Sequence, residues 1–222
     1  MGLDTTGESL HKRGYRLEAG GAPIKETLAA SLCNLARLRP YHTLYDPMCG
    51  SGTILIEGAM MVNNMAPGVN RHFTAERWQN IPESIWNEER DRARSLALTD
   101  SQFVCYGSDI DSRCLELAMA NAKRAGVDKY ITFEKKDVRD FAPKTEKGTV
   151  ICNPPYGERL LDLKEAEELY KTLGKRFKQE RGWAYNIICP SEDFEVFFGR
   201  KADKRRKLYN GMIKCQLYMY FK

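Results

Sequence analysis

Residues 43–53 read TLYDPMCGSGT. Thr43, Leu44 and Tyr45 form a short β-prone run that ends in an acid, Asp46. Gly50, Ser51 and Gly52 follow, and an apolar, helix-spaced segment begins at Thr53. Strand, acid, glycine loop and helix make one β-loop-α unit. Glycines in such a loop let the backbone approach a ligand closely, and the helix N-terminus offers free N–H groups. Two familiar loops are excluded by residue identity. A phosphate loop needs Lys before the Ser/Thr, where this chain has Gly52. A dinucleotide fingerprint needs a third glycine three residues on, where it has Leu55. An acid placed before the glycines suits a ligand carrying an ammonium group better than a pyrophosphate.

Working outward, helices and apolar strands alternate. Residues 23–38 have helical spacing with Pro23 in the first turn, and a helix is expected over 53–65. Residues 66–87 read as irregular, and a charged helix follows over 87–98. Strands are expected at 103–108, 131–135, 149–152 and 184–189, with helices at 112–125 and 163–180. Residues 207–221 differ. Asn210-Gly211 is a strong hairpin signal, with both turn residues expected at positive φ. Parallel β/α units therefore close with an antiparallel hairpin. Such an α/β, doubly wound sheet binds ligands at the C-terminal ends of its strands.

Acids recur at those ends. The second strand ends in GSDID (107–111), where Asp109 could take both hydroxyls of a ribose and Asp111 could cap the next helix. The third ends in KKDV (135–138), where Asp137 could accept from an adenine amine or be a solvated loop acid. The fourth runs TVICNPPYGER and stops at Asn153-Pro154-Pro155-Tyr156, because two prolines cannot continue a ladder. The freed carbonyls and the Asn153 side chain are acceptors, and Tyr156 is a flat ring. The set suits a planar base with an exocyclic amine: acceptors hold the N–H groups, and the ring stacks on the base for ~1–3 kcal/mol.

The ordered motifs DPMCGSGT, GSDID, KKDVRDF and NPPYGER resemble those of class I S-adenosylmethionine-dependent methyltransferases acting on amines. More narrowly, the chain resembles the catalytic domain of THUMP-associated RNA N2-guanine methyltransferases, among them bacterial 23S rRNA enzymes. The flanks DTTGESLHKRGYR, APIKETLAASL and KLYNGMIKCQLY extend the resemblance over nearly the whole chain. It implies a Rossmann-like, mostly parallel seven-stranded sheet with an antiparallel C-terminal hairpin. It implies S-adenosyl-L-methionine bound by Asp46, Met48, Cys49, Gly50, Ser51 and Gly52 at its methionine end. Asp109 and Ile110 would serve the ribose and adenine, with Asp137 and Val138 at the adenine. Asn153 would border the methyl group, and Asn153, Pro154, Pro155 and Tyr156 would hold the target base. The Ala22-Pro23 segment would lie near the methionine end. Residues 1–20 would be the junction from an RNA-binding THUMP domain, and 21–222 the transferase. The implied partner is RNA, 23S rRNA in the narrow form. An adenine-N6 methyltransferase or a non-catalytic cofactor- or RNA-binding module are the alternatives.

Composition agrees with a globular enzyme. Hydrophobic residues are 42% and charged residues 29%, which sets aside a disordered or collagen-like chain. No apolar run approaches the ~18 residues of a membrane span, and a cytoplasmic location is expected. Thirty-five Lys and Arg against 30 Asp and Glu give a net +5, a mild pointer to a polyanion. The basic tract Arg200, Lys201, Lys204, Arg205, Arg206 and Lys207 could contact phosphates or be a solvated loop. Lys12, Arg13 and Arg16 form a second candidate. Residues 66–87 could form a substrate wall or pack locally. Seven cysteines without a CxxC pair suit reduced thiols. Cys49 and Cys152 read as small core residues rather than nucleophiles. Three scattered histidines suggest no metal site.

Overall fold

The computed structural model describes residues 2–16, 24–156 and 163–221. Seven strands form one sheet: β1 (Thr43–Asp46), β2 (Val104–Asp109), β3 (Ile131–Lys135), β4 (Gly148–Cys152), β5 (Trp183–Cys189), β6 (Lys204–Asn210) and β7 (Ile213–Tyr220). Their order is β3-β2-β1-β4-β5-β7-β6. Only β7 runs against the others, pairing antiparallel with both β5 and β6. The order reverses between β1 and β4, so their C-terminal ends frame the crevice where ligands bind in such sheets.

The strands sort their side chains by the period of two. Leu44, Ile151, Ile188 and Leu217 enter one core, with α1 (Glu26–Leu35), α2 (Thr53–Val62) and α4 (Ser112–Ala125). Tyr45, Val150, Ile187 and Tyr218 enter the other, with α5 (Leu163–Arg176) and α6 (Phe194–Phe198). A sheet covered on both faces explains why the strands read as near-continuous apolar runs. α2 is buried at nine of its ten positions, Met61 being the exception. It lies directly on the sheet: a Cβ on Gly107 of β2 would come 2.5 Å from Leu55 and 2.8 Å from Phe133.

Element bounds differ from expectation at the ends. The first helix covers 26–35 rather than 23–38; Pro23, with Ala22, lies outside the described residues. α2 stops at Val62, and α5 stops at Arg176 rather than 180. Residues 66–87 are not irregular throughout. They hold a 3₁₀ turn at Thr74–Arg77, and α3 (Glu83–Ser95) already begins inside them behind Pro82. α6 was not expected; five residues are too few for a periodic signal. The hairpin is also corrected. Asn210 pairs with Ile213 inside the ladder, so the turn residues are Gly211 and Met212. Positive φ occurs there only at Gly211 (+65°), the requirement of a II′-type turn rather than the expected pair.

Residues 2–16 are welded to the helical layer. Arg13 pairs with Glu57 at 3.5 Å, and the Tyr15 hydroxyl donates to Glu57 at 3.0 Å. Arg16 pairs with Glu26 at 3.6 Å and donates to the Ile24 carbonyl and to Thr53 Oγ1. Arg71 donates to the carbonyls of Glu8, Ser9 and Lys12. The 66–87 segment thus clasps the N-terminal segment. Lys12 pairs with Glu8 at the surface. Arg13 and Arg16 are not phosphate contacts: their side chains are nearly buried and neutralised from within.

Candidate active site

The glycine loop is fastened to the end of β2. Cys49 N donates to the Ser108 carbonyl at 3.0 Å, and Gly50 N donates to Asp109 Oδ2 at 2.9 Å. Asn121, on the buried stripe of α4, donates to the Ser51 carbonyl at 3.2 Å. Gly50 and Gly52 adopt φ of +51° and +79°, the left-handed region that favours glycine. Gly52 is also crowded, its Cβ position being 3.1 Å from Ala118. At Gly50 a Cβ would meet nothing within 4 Å, so space opens above the loop.

Asp109 accepts one backbone N–H on each oxygen, from Gly50 on Oδ2 and from Asp111 (3.0 Å) on Oδ1. A carboxylate oxygen has two lone pairs, so one remains on each, a match for two vicinal ribose hydroxyls. Asp111 is the helix cap, accepting from Arg113 N at 2.9 Å. The two readings of GSDID thus fall on different residues. Ile110 is 65% exposed beside them.

Asp137 is more occupied than the sequence suggested. It caps Val138–Asp140, accepts from Arg139 N at 2.8 Å and pairs with the Arg139 guanidinium at 2.6 Å. The Arg139 hydrogen bonds hold its carboxyl below the usual range. Val138 is buried beside it.

Asp46 closes β1, 2% exposed, with Met48 N donating to it at 3.2 Å. Burial, helped by the charge of Asp109, pushes its carboxyl up to about 8. Cys49 and Cys152 are buried free thiols. Burial raises both well above the usual thiol range, so they stay protonated and un-nucleophilic. Ser51 Oγ lies 3.3 Å from Thr53 Oγ1, whose helix turn Arg16 braces.

Tyr45 pairs with Val150 across β1 and β4, so Asp46 and Asn153 stand on adjoining strand ends. Asn153 Oδ1 is buried without a hydrogen-bond partner among the described residues. A buried acceptor left open costs free energy unless a ligand donor completes it. Pro154 is buried behind it, and the Tyr156 hydroxyl accepts from Asn210 Nδ2 at 3.0 Å. The hairpin therefore reaches the site, a contact between residues 54 apart. Gly157–Asp162 lie outside the described residues. Among the described residues no group of three or more His, Cys, Asp or Glu could hold a metal ion.

Sequence reasoning missed Asn121 and gave Arg16 and Asn210 other parts, a phosphate contact and a turn residue. Asn121 left one trace: it is the polar residue in the stripe Leu115, Ala118, Ala122. Nothing local in the sequence pointed Arg16 to Thr53 or Asn210 to Tyr156.

An open loop, a two-acceptor carboxylate, a buried acid and an orphaned amide oxygen fit an adenosyl amino acid and, beside it, an amine. Comparison with known proteins agrees on the adenosyl amino acid. The RMKL-like methyltransferase domain model matches residues 13–219. YpsC of Bacillus subtilis, whose name proposes an RNA methyltransferase, is 45% identical over 99% of this chain and 57% of its own length. Ribosomal RNA large subunit methyltransferase K/L of Shewanella baltica is 42% identical over 99% of this chain and 32% of its own. The chain thus spans about half or less of the length of these relatives. The crystal structure of SMU.472, titled a candidate methyltransferase complexed with SAH, superposes with a TM-score of 0.93 at 44% identity, covering 98% of this chain and 57% of that one. A Listeria monocytogenes structure, titled as an N6-adenine-specific DNA methylase inferred from sequence, has a TM-score of 0.91 at 45% identity over 98% and 56%. With its 3-2-1-4-5-7-6 sheet and its loop bolted to Asp109, this chain belongs to the RMKL-like methyltransferase domain family, whose methyl donor is S-adenosylmethionine.

Proposed function

We propose that this chain methylates the exocyclic N2 of a guanine in RNA, 23S rRNA being the favoured substrate. The observation that carries the reading is Asn153 Oδ1, buried and unpartnered next to the donor cradle. When bound, the donor supplies an electrophilic methyl on a sulfonium sulfur. The residues do the rest. Asp46 faces the ammonium, Asp109 the ribose hydroxyls, and Ile110 and Val138 the adenine, with Asp137 reaching its amine by its remaining lone pair. Met48, Cys49, Gly50, Ser51 and Gly52 shape the methionine end. Asn153 Oδ1 and the Pro154 carbonyl accept from the target amine and turn its lone pair toward the methyl. Pro155 fixes the turn, and Tyr156 stacks on the base.

A guanine amine is a weak nucleophile because its lone pair is delocalised. Fixed acceptors favour the pyramidal nitrogen and the positive charge that develops on it. The N–C bond forms as the C–S bond breaks, and the proton leaves the nitrogen afterwards. Positioning supplies much of the acceleration. A paired base is out of reach, so the target is single-stranded or flipped out. In this reading residues 1–20 join an RNA-binding module to the transferase at 21–222, and an rRNA substrate places the protein in the cytoplasm. Among the described residues no helix is long and apolar enough to cross a membrane.

The second reading, adenine-N6 methylation, is favoured by the name of the Listeria relative. Both amines suit the same acceptors. Tritiated methyl transfer to purified rRNA, tRNA and DNA, followed by nucleoside mass spectrometry, separates them. N2-methylguanosine is expected; N6-methyladenosine would replace the guanine assignment, and no transfer to any of the three would leave only a binding module.

A further inference from the structure

The basic tract is not one loop. Arg200 lies over the rings of Phe198 and Tyr220 and donates to the Phe177 carbonyl. Arg205 donates to Glu195 and lies over Tyr218. Both serve the fold. Lys204 through Lys207 are residues of β6, the outer strand of the sheet. Lys201, Lys204, Arg206 and Lys207 are exposed and make no ion pair among the described residues. The nearby acids are engaged elsewhere: Glu195 with Arg205, Asp203 with the Phe221 N–H, Glu192 with Lys214.

Register fixes where these cations point. Lys204 and Arg206 lie opposite Met219 and Leu217, whereas Lys207 lies opposite Gln216. Successive strand residues face opposite sides, so the cations straddle the edge. The edge also presents outward N–H groups. β6 runs parallel to β4 and β5, and its last residue, Asn210, touches Tyr156. At about 3.4 Å per residue, Lys207 lies about 10 Å and Lys204 about 20 Å from that contact. Exposed Tyr209 has the Lys207 ammonium 5.5 Å from its ring centre and shares the Lys207 face of the strand.

We propose that the β6 edge is the track on which the RNA strand flanking the target base lies. Lys204, Arg206 and Lys207 contact successive phosphates, and Tyr209 stacks on a base of that flanking strand. The proposal rests on the RNA reading above and adds the path of the strand. Edge lysines also guard against edge-to-edge pairing, and the test separates that role.

Binding of a fluorescein-labelled single-stranded 12-nucleotide RNA with one central guanine is measured by anisotropy from 50 to 200 mM KCl. The proteins are the 222-residue chain and its Lys204→Glu/Arg206→Glu/Lys207→Glu variant, which keeps a charged, guarded edge. Calorimetry with S-adenosylhomocysteine establishes that each is folded at the site. The variant should bind RNA at least about tenfold more weakly at 50 mM, with the log–log salt slope shallower by about 2, from three lost single-strand phosphate contacts. Equal RNA affinity and slope in a variant that binds S-adenosylhomocysteine normally would overturn the track alone. If the unaltered chain shows no salt-dependent RNA binding and transfers no methyl to rRNA, the RNA reading falls and the track with it. Should the triple variant not fold, Lys204→Gln/Lys207→Gln is used, with a slope change of about 1.4 expected; an unchanged slope there counts equally against the track.

Discussion

In the proposed reading, with Asp46 facing the donor's ammonium, binding of the methyl donor should release a proton. The Asp46 carboxyl is 2% exposed and accepts one backbone hydrogen bond, and burial pushes it up to about 8. In the free protein near pH 6.5 it is therefore protonated. A ligand ammonium beside it favours the carboxylate, so binding lowers its pKa and expels a proton. An opposite charge in contact typically lowers a carboxyl's pKa by about 1–3, so the apparent Kd should fall roughly two- to eightfold between pH 6.0 and 7.0 through this linkage. An α-ammonium keeps most of its proton in that window. The same shift acts on stability. The folded value lies above the unfolded 3.8, so the contribution is fully present below about pH 4 and is lost as pH rises through about 8. The Asp46→Asn protein should lose both dependences and bind more weakly throughout. The assay is S-adenosylhomocysteine calorimetry at pH 6.0, 6.5 and 7.0, in two buffers of different ionisation enthalpy. Wild-type binding that neither releases protons nor strengthens with pH would refute the argument, and Asp46 would then be an internal group without contact to the ligand.

Other outcomes follow from particular contacts. Asn153→Ala should cut single-turnover methylation about 10²–10³-fold, since its acceptor matters most as charge develops; S-adenosylhomocysteine affinity should stay near wild type, and a near-normal rate would make the turn structural. Tyr156→Phe keeps the ring and loses the hydroxyl's contact with Asn210, so much of the activity should remain, whereas Tyr156→Ala should lower both RNA binding and rate; equal rates in the two variants would remove stacking from the account. Gly107→Ala must displace Leu55 and Phe133 at 2.5 and 2.8 Å, which should cost about 1–3 kcal/mol in urea unfolding. Glu57→Ala strands the nearly buried Arg13 and frees the Tyr15 hydroxyl; about 3 kcal/mol is expected, with residues 2–16 becoming open to limited proteolysis.

What the sequence by itself determined is local and ordered along the chain. A strand ending in Asp46, glycines that need positive φ, a proline pair that stops a strand and the alternation of β and α elements are each written in adjacent residues. They led to the doubly wound sheet, the glycine loop and the turn at Asn153. Tertiary structure decided the rest, because it depends on partners far apart in the chain. Asp109 is divided between Gly50 and Asp111, 59 and two residues away. Arg13 and Arg16 read as surface cations until Glu57 and Glu26 are brought against them in the helical layer. Arg205 is paired and Arg206 free because neighbours on a strand face opposite sides, one meeting Glu195 and the other solvent. Charge alone carries no record of which cation will be neutralised. That is fixed only when the sheet closes and the low dielectric of its faces makes pairing obligatory for the groups it buries.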